Sequence, residues 1–279
     1  MSDAALTIEQ ALLAARQAGV DRLDAQLMLC ELLGQNRTWL LAHDRDPLEP
    51  ATLARFQSWV ARRATGEPLA YLLGDKEFFG LSLQVNPQVL IPRPDTEILV
   101  EWALERLATN PAQDVLDLGT GSSAIALALQ HRCPQARVTA VDASAGALQT
   151  AEHNARKLGL PVRFRLGSWL QAVQGETFDL IVSNPPYIAE HDPHLQALTH
   201  EPISALTSGP DGLDDIRHIV AAARSHLRPN GWLLLEHGYD QAEAVGALLA
   251  QAGYTHIETR LDLGGNTRCT GGQTLPRSA

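Results

Sequence analysis

Apolar positions at helical spacing dominate the first quarter of the chain. Ile8, Leu12 and Ala15 follow Thr7, with Gln10 placed as in a capping box, and the pattern stops at Gly19. A second such run, Leu23, Leu27, Cys30 and Leu33, stops at Gly34, a residue suited to the left-handed end of a helix. After the short stretch TWLLAH, residues 49–63 carry Leu53, Phe56, Trp59 and Val60 on one face. Residues 1–75 therefore predict a small helical bundle. Between residues 76 and 87 the period changes, and Phe78, Leu81, Leu83 and Val85 partly alternate around Gly80, as in a hairpin. Residues 76–93 are expected to form a hairpin linker.

A third pattern fills residues 94–279. In LIPRPDTE, Pro92 and Pro94 hold the chain extended, and Asp95, Thr96 and Glu97 start a helix with acids at its positive end. A rigid joint and a direct role for Arg93 are both open here. From residue 114, the apolar runs DVLDL, RVTAVD, VRFRL, FDLIVS and WLLLEH alternate with helical patterns such as GALQTAEHNARKLG. Strands in that rhythm are parallel with crossover helices between them, so an α/β, Rossmann-like doubly wound sheet is expected. Late strands near residues 256–261 and 267–270 would close it as an antiparallel hairpin.

Composition narrows the function classes. The 279 residues suit two domains at roughly 150 residues each. Apolar residues at 45% and charged ones at 19% describe a globular chain with a sizeable core. The opening MSDAALTIEQ has early acids and no apolar core with basic flanks, so no signal or transit peptide is expected. No run approaches the roughly 18 apolar residues of a membrane span. Cys30, Cys133 and Cys269 are scattered without C-x-x-C spacing, which suits reduced cytoplasmic thiols better than disulfides or zinc. The histidines show no metal-ligand clustering, and no metal site is expected. A formal charge of −10 disfavours a polyphosphate partner unless a local basic patch overrides it.

Two strand ends carry candidate chemistry. The first reads DLGTGSSAIALAL, where Gly119 and Gly121 allow a sharp turn into a helix whose N-terminus favours negative charge. Asp142 ends the next strand, at a distance suited to accepting ribose hydroxyls. Any nucleoside-bearing cofactor fits, and Gly119, Gly121 and Ala124 also satisfy the relaxed dinucleotide pattern G-x-G-x-x-A. The second end is SNPPY, residues 183–187. An amide or exocyclic amino nitrogen is a poor nucleophile because its lone pair is delocalised. The Asn184 side-chain oxygen and the Pro185 carbonyl can each accept one N–H of such a group, favouring the charge that grows on it. Pro185 and Pro186 stiffen the segment, and Tyr187 can pack on the planar group. A dehydrogenase has no need of this segment.

Taken together, LIPRPDTE, DLGTGSS, Asp142, IVSNPPYI, HEPISAL and LLLEHG, in this order after a helical domain, resemble the bacterial release factor glutamine methyltransferases, the HemK or PrmC family. The resemblance covers essentially the whole chain. It implies transfer of a methyl group from S-adenosylmethionine to the side-chain N5 of the glutamine in the Gly-Gly-Gln loop of class I peptide-chain release factors. It implies a cofactor site of Asp117, Gly119, Thr120, Gly121, Ser122, Ser123, Asp142, Ser168, Trp169 and Asn184. Substrate would meet Asn184, Pro185, Pro186 and Tyr187, with Asn184, Pro185 and Tyr187 as the catalytic set. The helical domain would contact the release factor, and an acidic enzyme suits a basic partner.

NPPY is also found in methyltransferases acting on adenine or guanine of nucleic acids, and a non-catalytic release-factor binder is the third reading. Ser123 stands where the family has glycine and Ser168 where it has an acid, which predicts weaker cofactor binding. Glu201 is expected to be a solvated loop acid and His237 to be strand-end packing. Gly271, Gly272 and Gln273 repeat the family's target tripeptide and are expected to form a glycine-rich turn at the chain end.

Overall fold

The computed structural model describes residues 6–108, 110 and 112–276. It divides into two compact units, residues 1–75 and 76–279. The first holds helices α1 (Ile8–Gln17), α2 (Arg22–Leu33), α3 (Arg37–Ala42), α4 (Pro50–Ala64) and α5 (Leu69–Leu73). Thr7 and Gln10 make the reciprocal capping box of α1, and Gly34 ends α2 in the left-handed conformation. Ile8, Met28, Leu29, Leu40 and Phe56 are buried together, each the inward position of its helix. TWLLAH, left unassigned by pattern, supplies most of α3, capped by Asn36 through the Trp39 N–H.

The second unit opens within β1 (Asp75–Phe78), which pairs with β2 (Leu81–Gln84) in a two-stranded sheet turned through Phe79 and Gly80, both at positive φ as tight hairpins require. Phe78, Leu81 and Leu83 are buried in the same core as Leu99, Trp102 and Leu127, so the hairpin packs as part of this unit. Helix α6 (Glu97–Leu107) follows LIPRPDTE.

Seven further strands form one sheet: β3 (Asp114–Leu118), β4 (Arg137–Asp142), β5 (Arg163–Leu166), β6 (Phe178–Ser183), β7 (Leu227–Glu236), β8 (Thr255–Leu261) and β9 (Thr267–Gln273). Their order is β5-β4-β3-β6-β7-β9-β8, with β3, β4, β5, β6 and β7 parallel and β9 antiparallel to both β7 and β8. Helices α7 (Ala124–Arg132), α8 (Ala145–Leu158), α9 (Asp214–Ala223) and α10 (Ala242–Gln251) complete the unit. Alternate strand residues feed two cores: Val115 and Leu234 pack with α6 and α7, while Leu116, Leu118, Leu233 and Leu235 pack with α9 and α10. Strand order reverses beside β3, which opens a crevice at the carboxyl ends of β3, β4 and β6. No helix among the described residues is long and apolar enough to cross a membrane.

Gly271, Gly272 and Gln273 do not form a terminal turn. They lie inside β9, where Gly271 pairs with Leu234 and Gly272 with Leu233. A Cβ on Gly271 would stand 2.6 Å from Leu234 Cδ2 and 2.8 Å from Trp102 Cη2, so these glycines serve packing. A strand hydrogen-bonded on both edges cannot enter a catalytic cleft without unravelling the sheet.

Candidate active site

The glycine loop after β3 is fastened to β4. Gly119 and Thr120 both donate their N–H groups to the Val141 carbonyl at 2.9 Å. Gly121 donates to Asp142 Oδ2 at 2.8 Å, and Ser144 donates to Asp142 Oδ1 at 2.8 Å. Each carboxylate oxygen keeps a lone pair for a hydroxyl donor. Gly119 and Gly121 have φ of 70° and 55°, values that glycine adopts without strain. Ser123 also has a positive φ, 68°, and its buried hydroxyl finds no hydrogen-bond partner among the described residues. Beneath the loop, Asp117 accepts the Thr120 hydroxyl at 2.6 Å, and burial pushes its pKa up to about 7.

A cavity of about 420 Å³ opens over this loop. Gly119, Gly121, Asp142, Ser168, Trp169, Asn184 and Pro186 line it. Asp117, Thr120, Ser122 and Ser123 do not: they are buried and shape the loop from below. Pro185 and Tyr187 also stand outside the lining. Leu90 of LIPRPDTE and Ser204 of HEPISAL also line it, as do Gln88 and Asp215, which were not singled out from sequence. Asp215 matters most of these. Its Oδ1 accepts the Trp169 indole N–H at 3.1 Å, and its Oδ2 accepts the Ser208 hydroxyl at 2.7 Å. The indole is thereby fixed so close to the loop that a Cβ on Gly119 would stand 3.2 Å from Trp169 Cζ3. In sequence Asp215 gives no signal of this role. A larger groove of about 790 Å³ lies at the opposite ends of the strands, around Asp114, Arg137 and Arg163, away from the glycine loop.

The NPPY segment leaves β6 over the same cavity. Ser183 anchors it by donating its hydroxyl to the Leu118 carbonyl at 2.7 Å. Asn184 donates Nδ2 to Thr96 Oγ1 at 3.2 Å, while its Oδ1 takes no hydrogen bond from a described residue. Tyr187 turns inward, donating its hydroxyl to Glu236 Oε1 at 3.4 Å; burial and then the Glu236 charge raise its pKa. Burial likewise pushes Glu236 up to about 7. The backbone is clamped from behind: Gln241 Nε2 donates to the Tyr187 carbonyl at 3.1 Å, and Ile188 N–H donates to the Leu206 carbonyl at 2.9 Å.

Glu201 is not the solvated acid that its loop suggested. It is 8% exposed, accepts the Ile91 N–H at 3.0 Å and forms an ion pair with Arg93, tying HEPISAL to LIPRPDTE. A buried carboxylate persists only with such partners. His237 is buried at the end of β7, its Nε2 at 2.7 Å from Thr270 Oγ1, and desolvation lowers its pKa. It packs at the strand end, as expected.

These features together make a cradle for a nucleoside-bearing cofactor: a turn whose two glycines hold a left-handed backbone, Gly119 close against the indole, a carboxylate with spare acceptor capacity and an oriented Trp169. Asn184 lines the same space, its amide nitrogen tied to Thr96.

Residues 4–74 match the family model described as the PrmC N-terminal domain, and residues 96–210 match the methyltransferase small domain. A release factor glutamine methyltransferase of Bordetella pertussis is 52% identical over 257 residues, covering 91% of this chain and 95% of the relative. One of Xylella fastidiosa is 51% identical over 266 residues, covering 94% and 97%. Among solved structures, a methyltransferase from Pyrococcus furiosus superposes with a TM-score of 0.55 at 19% identity, covering 78% of this chain and 99% of the other, which shows the common fold.

Proposed function

Because this chain belongs to the release factor glutamine methyltransferases, we propose that its cavity brings S-adenosylmethionine and the glutamine of a class I release factor's Gly-Gly-Gln loop together for methyl transfer to N5. The observation that carries this is that Asn184 lines the same cavity as the glycine loop and Asp142 while its Nδ2 is held by Thr96 Oγ1, which leaves Oδ1 as the acceptor on offer.

The cofactor fits the cradle in kind. Asp142 takes the ribose hydroxyls on its spare lone pairs, Trp169 covers the adenine side, and the Gly119–Gly121 turn leaves room for the backbone to approach. When bound, S-adenosylmethionine supplies an electrophilic methyl group on a sulfonium. The chain's residues supply orientation. Asn184 Oδ1 and the Pro185 carbonyl accept the two N–H bonds of the glutamine amide, fixing the nitrogen and favouring the positive charge that grows on it. Orientation can be worth roughly 7–11 kcal/mol, and a preorganised polar contact roughly 3–4 kcal/mol. No general base is needed, because the surplus proton leaves to water after the methyl group has moved.

Ser168 offers a weaker acceptor to the adenine amino group than an acid would. The helical unit, residues 1–75, receives the release factor, and the chain's formal charge of −10 suits a basic partner. Such an enzyme works in the cytoplasm, where its substrate serves the ribosome.

The test is to incubate the purified chain with labelled donor and, separately, a class I release factor, protein-free ribosomal RNA and DNA. One methyl group on the Gly-Gly-Gln glutamine, located by peptide mass spectrometry, is expected. Label in nucleic acid, or in none of the three, overturns the proposal.

A further inference from the structure

Two motif residues left unused by this chemistry, Thr96 of LIPRPDTE and Glu236 of LLLEHG, stand directly behind Asn184. Both are buried, at 4% and 1% exposure. The Asn184 amide nitrogen is 3.2 Å from Thr96 Oγ1. The Thr96 hydroxyl stands near enough to the Glu236 carboxylate to favour its charge, and that carboxylate also receives the Tyr187 hydroxyl at 3.4 Å. Glu236 Oε2 has no hydrogen-bond partner among the described residues. Asp95, Arg268 and Cys269 are the other charged or titratable groups that act on this carboxylate or feel it. A buried carboxyl group with one oxygen unsatisfied is costly to stability, so a function should accompany it.

That function follows from counting hydrogens. A threonine hydroxyl has one hydrogen to give. Thr96 Oγ1 accepts the Asn184 N–H at 3.2 Å, and the nearby buried carboxylate of Glu236, one oxygen of which is unsatisfied, is the acceptor that draws the hydroxyl hydrogen away from Asn184. The two ends of an asparagine amide have nearly the same shape, so packing alone does not choose between them. A donor-only face behind Asn184 would turn its NH₂ towards the cavity, opposing the substrate's own NH₂. The acceptor at Thr96 turns the oxygen there instead.

We propose that Thr96, backed by Glu236, is a positioning residue that sets the hydrogen-bond polarity of Asn184, so that the amide presents oxygen to the substrate nitrogen. This rests on the assignment of Asn184 to the glutamine amide.

The experiment uses the full chain, steady-state methylation of a release factor, and calorimetric binding of S-adenosylmethionine. Thr96→Val keeps the shape and removes the hydroxyl; Thr96→Ser keeps the hydroxyl. The valine variant should lose about tenfold or more in kcat with donor affinity within about threefold of the unaltered chain, and the serine variant should recover most of that rate. Added to Asn184→Ala, Thr96→Val should cost less than about threefold more, because the hydroxyl acts through that amide.

A valine variant at full rate, a serine variant as slow as valine, or full additivity with Asn184→Ala would each overturn the proposal. Should the valine variant fail to bind donor, Thr96→Ala, which cannot clash, takes its place. The two levels separate cleanly. If Asn184→Ala is fully active, the assignment of Asn184 falls and the positioning role falls with it. If Asn184→Ala is slow and Thr96→Val is not, only the positioning role falls.

Discussion

Gly121 donates its backbone N–H to the Asp142 carboxylate at 2.8 Å, joining the glycine turn after β3 to the acid that ends β4. The carboxylate holds the loop that shapes the cofactor cradle and still has lone pairs to offer. Removing it should therefore weaken donor binding twice over.

Asp142→Ala is expected to raise the Kd for S-adenosylmethionine by about tenfold or more. Hydrogen bonds to charged groups contribute roughly 1.5–3 kcal/mol, and about 1.4 kcal/mol is a factor of ten. Calorimetry checks this, and an unchanged Kd would remove the acid from the cofactor subsite.

Ser123 adopts a left-handed backbone, φ 68°, with a buried hydroxyl that finds no partner among the described residues. An L-residue in that conformation costs roughly 1–2 kcal/mol. Ser123→Gly should raise Tm by about 2–4 °C per kcal/mol recovered and tighten donor binding. A lower Tm with unchanged affinity would mean that the Ser123 side chain supports the loop rather than straining it.

Asp117 gives a pH test. Its folded pKa of about 7 lies above the ordinary carboxylate value of 3.8, because burial disfavours its charge. Between about pH 4 and 7 the folded chain thus keeps a proton that the unfolded chain has released, and this site's contribution to stability falls as pH rises through that window. Asn at this position cannot titrate. The stability advantage of the unaltered chain over Asp117→Asn should shrink from pH 5 to pH 7 in urea unfolding, whereas a constant gap would place the carboxyl's titration elsewhere.

The sequence patterns foretold what neighbouring residues decide. The Thr7–Gln10 cap, the Gly34 stop and the alternating strands from residue 114 all depend on local spacing, and each stands where expected. Contacts between distant segments were not legible. Glu201 looked solvated because Arg93 lies 108 residues away, and Asp215 gave no signal because its partner Trp169 lies 46 residues away. Gly271 and Gly272 read as a turn since glycine usually marks one. Here it is the lack of a side chain beside Trp102 and Tyr254 that the strand needs, which no local pattern reveals.

Gly212 tests the clamp behind the NPPY segment. It has φ 76°, and a Cβ there would run into the Tyr187 carbonyl oxygen. Gly212→Ala must displace either α9's leading loop or the segment carrying Asn184. Methyl transfer is expected to fall by about a hundredfold, the usual penalty for misplacing a reacting group by an ångström, with donor affinity little changed. Full activity would show that the segment tolerates movement and that its stiffness is not needed.

The most direct measurement is a paired one on Asn184→Ala: the methylation rate of a release factor at saturating donor, and the Kd for S-adenosylmethionine on the same protein. The Asn184 contact strengthens as charge develops on the substrate nitrogen, so the rate should fall by at least about a hundredfold while Kd stays within about threefold. An unchanged rate, or a loss of donor binding that matches the loss of rate, would contradict the assignment of the Asn184 oxygen to the glutamine amide.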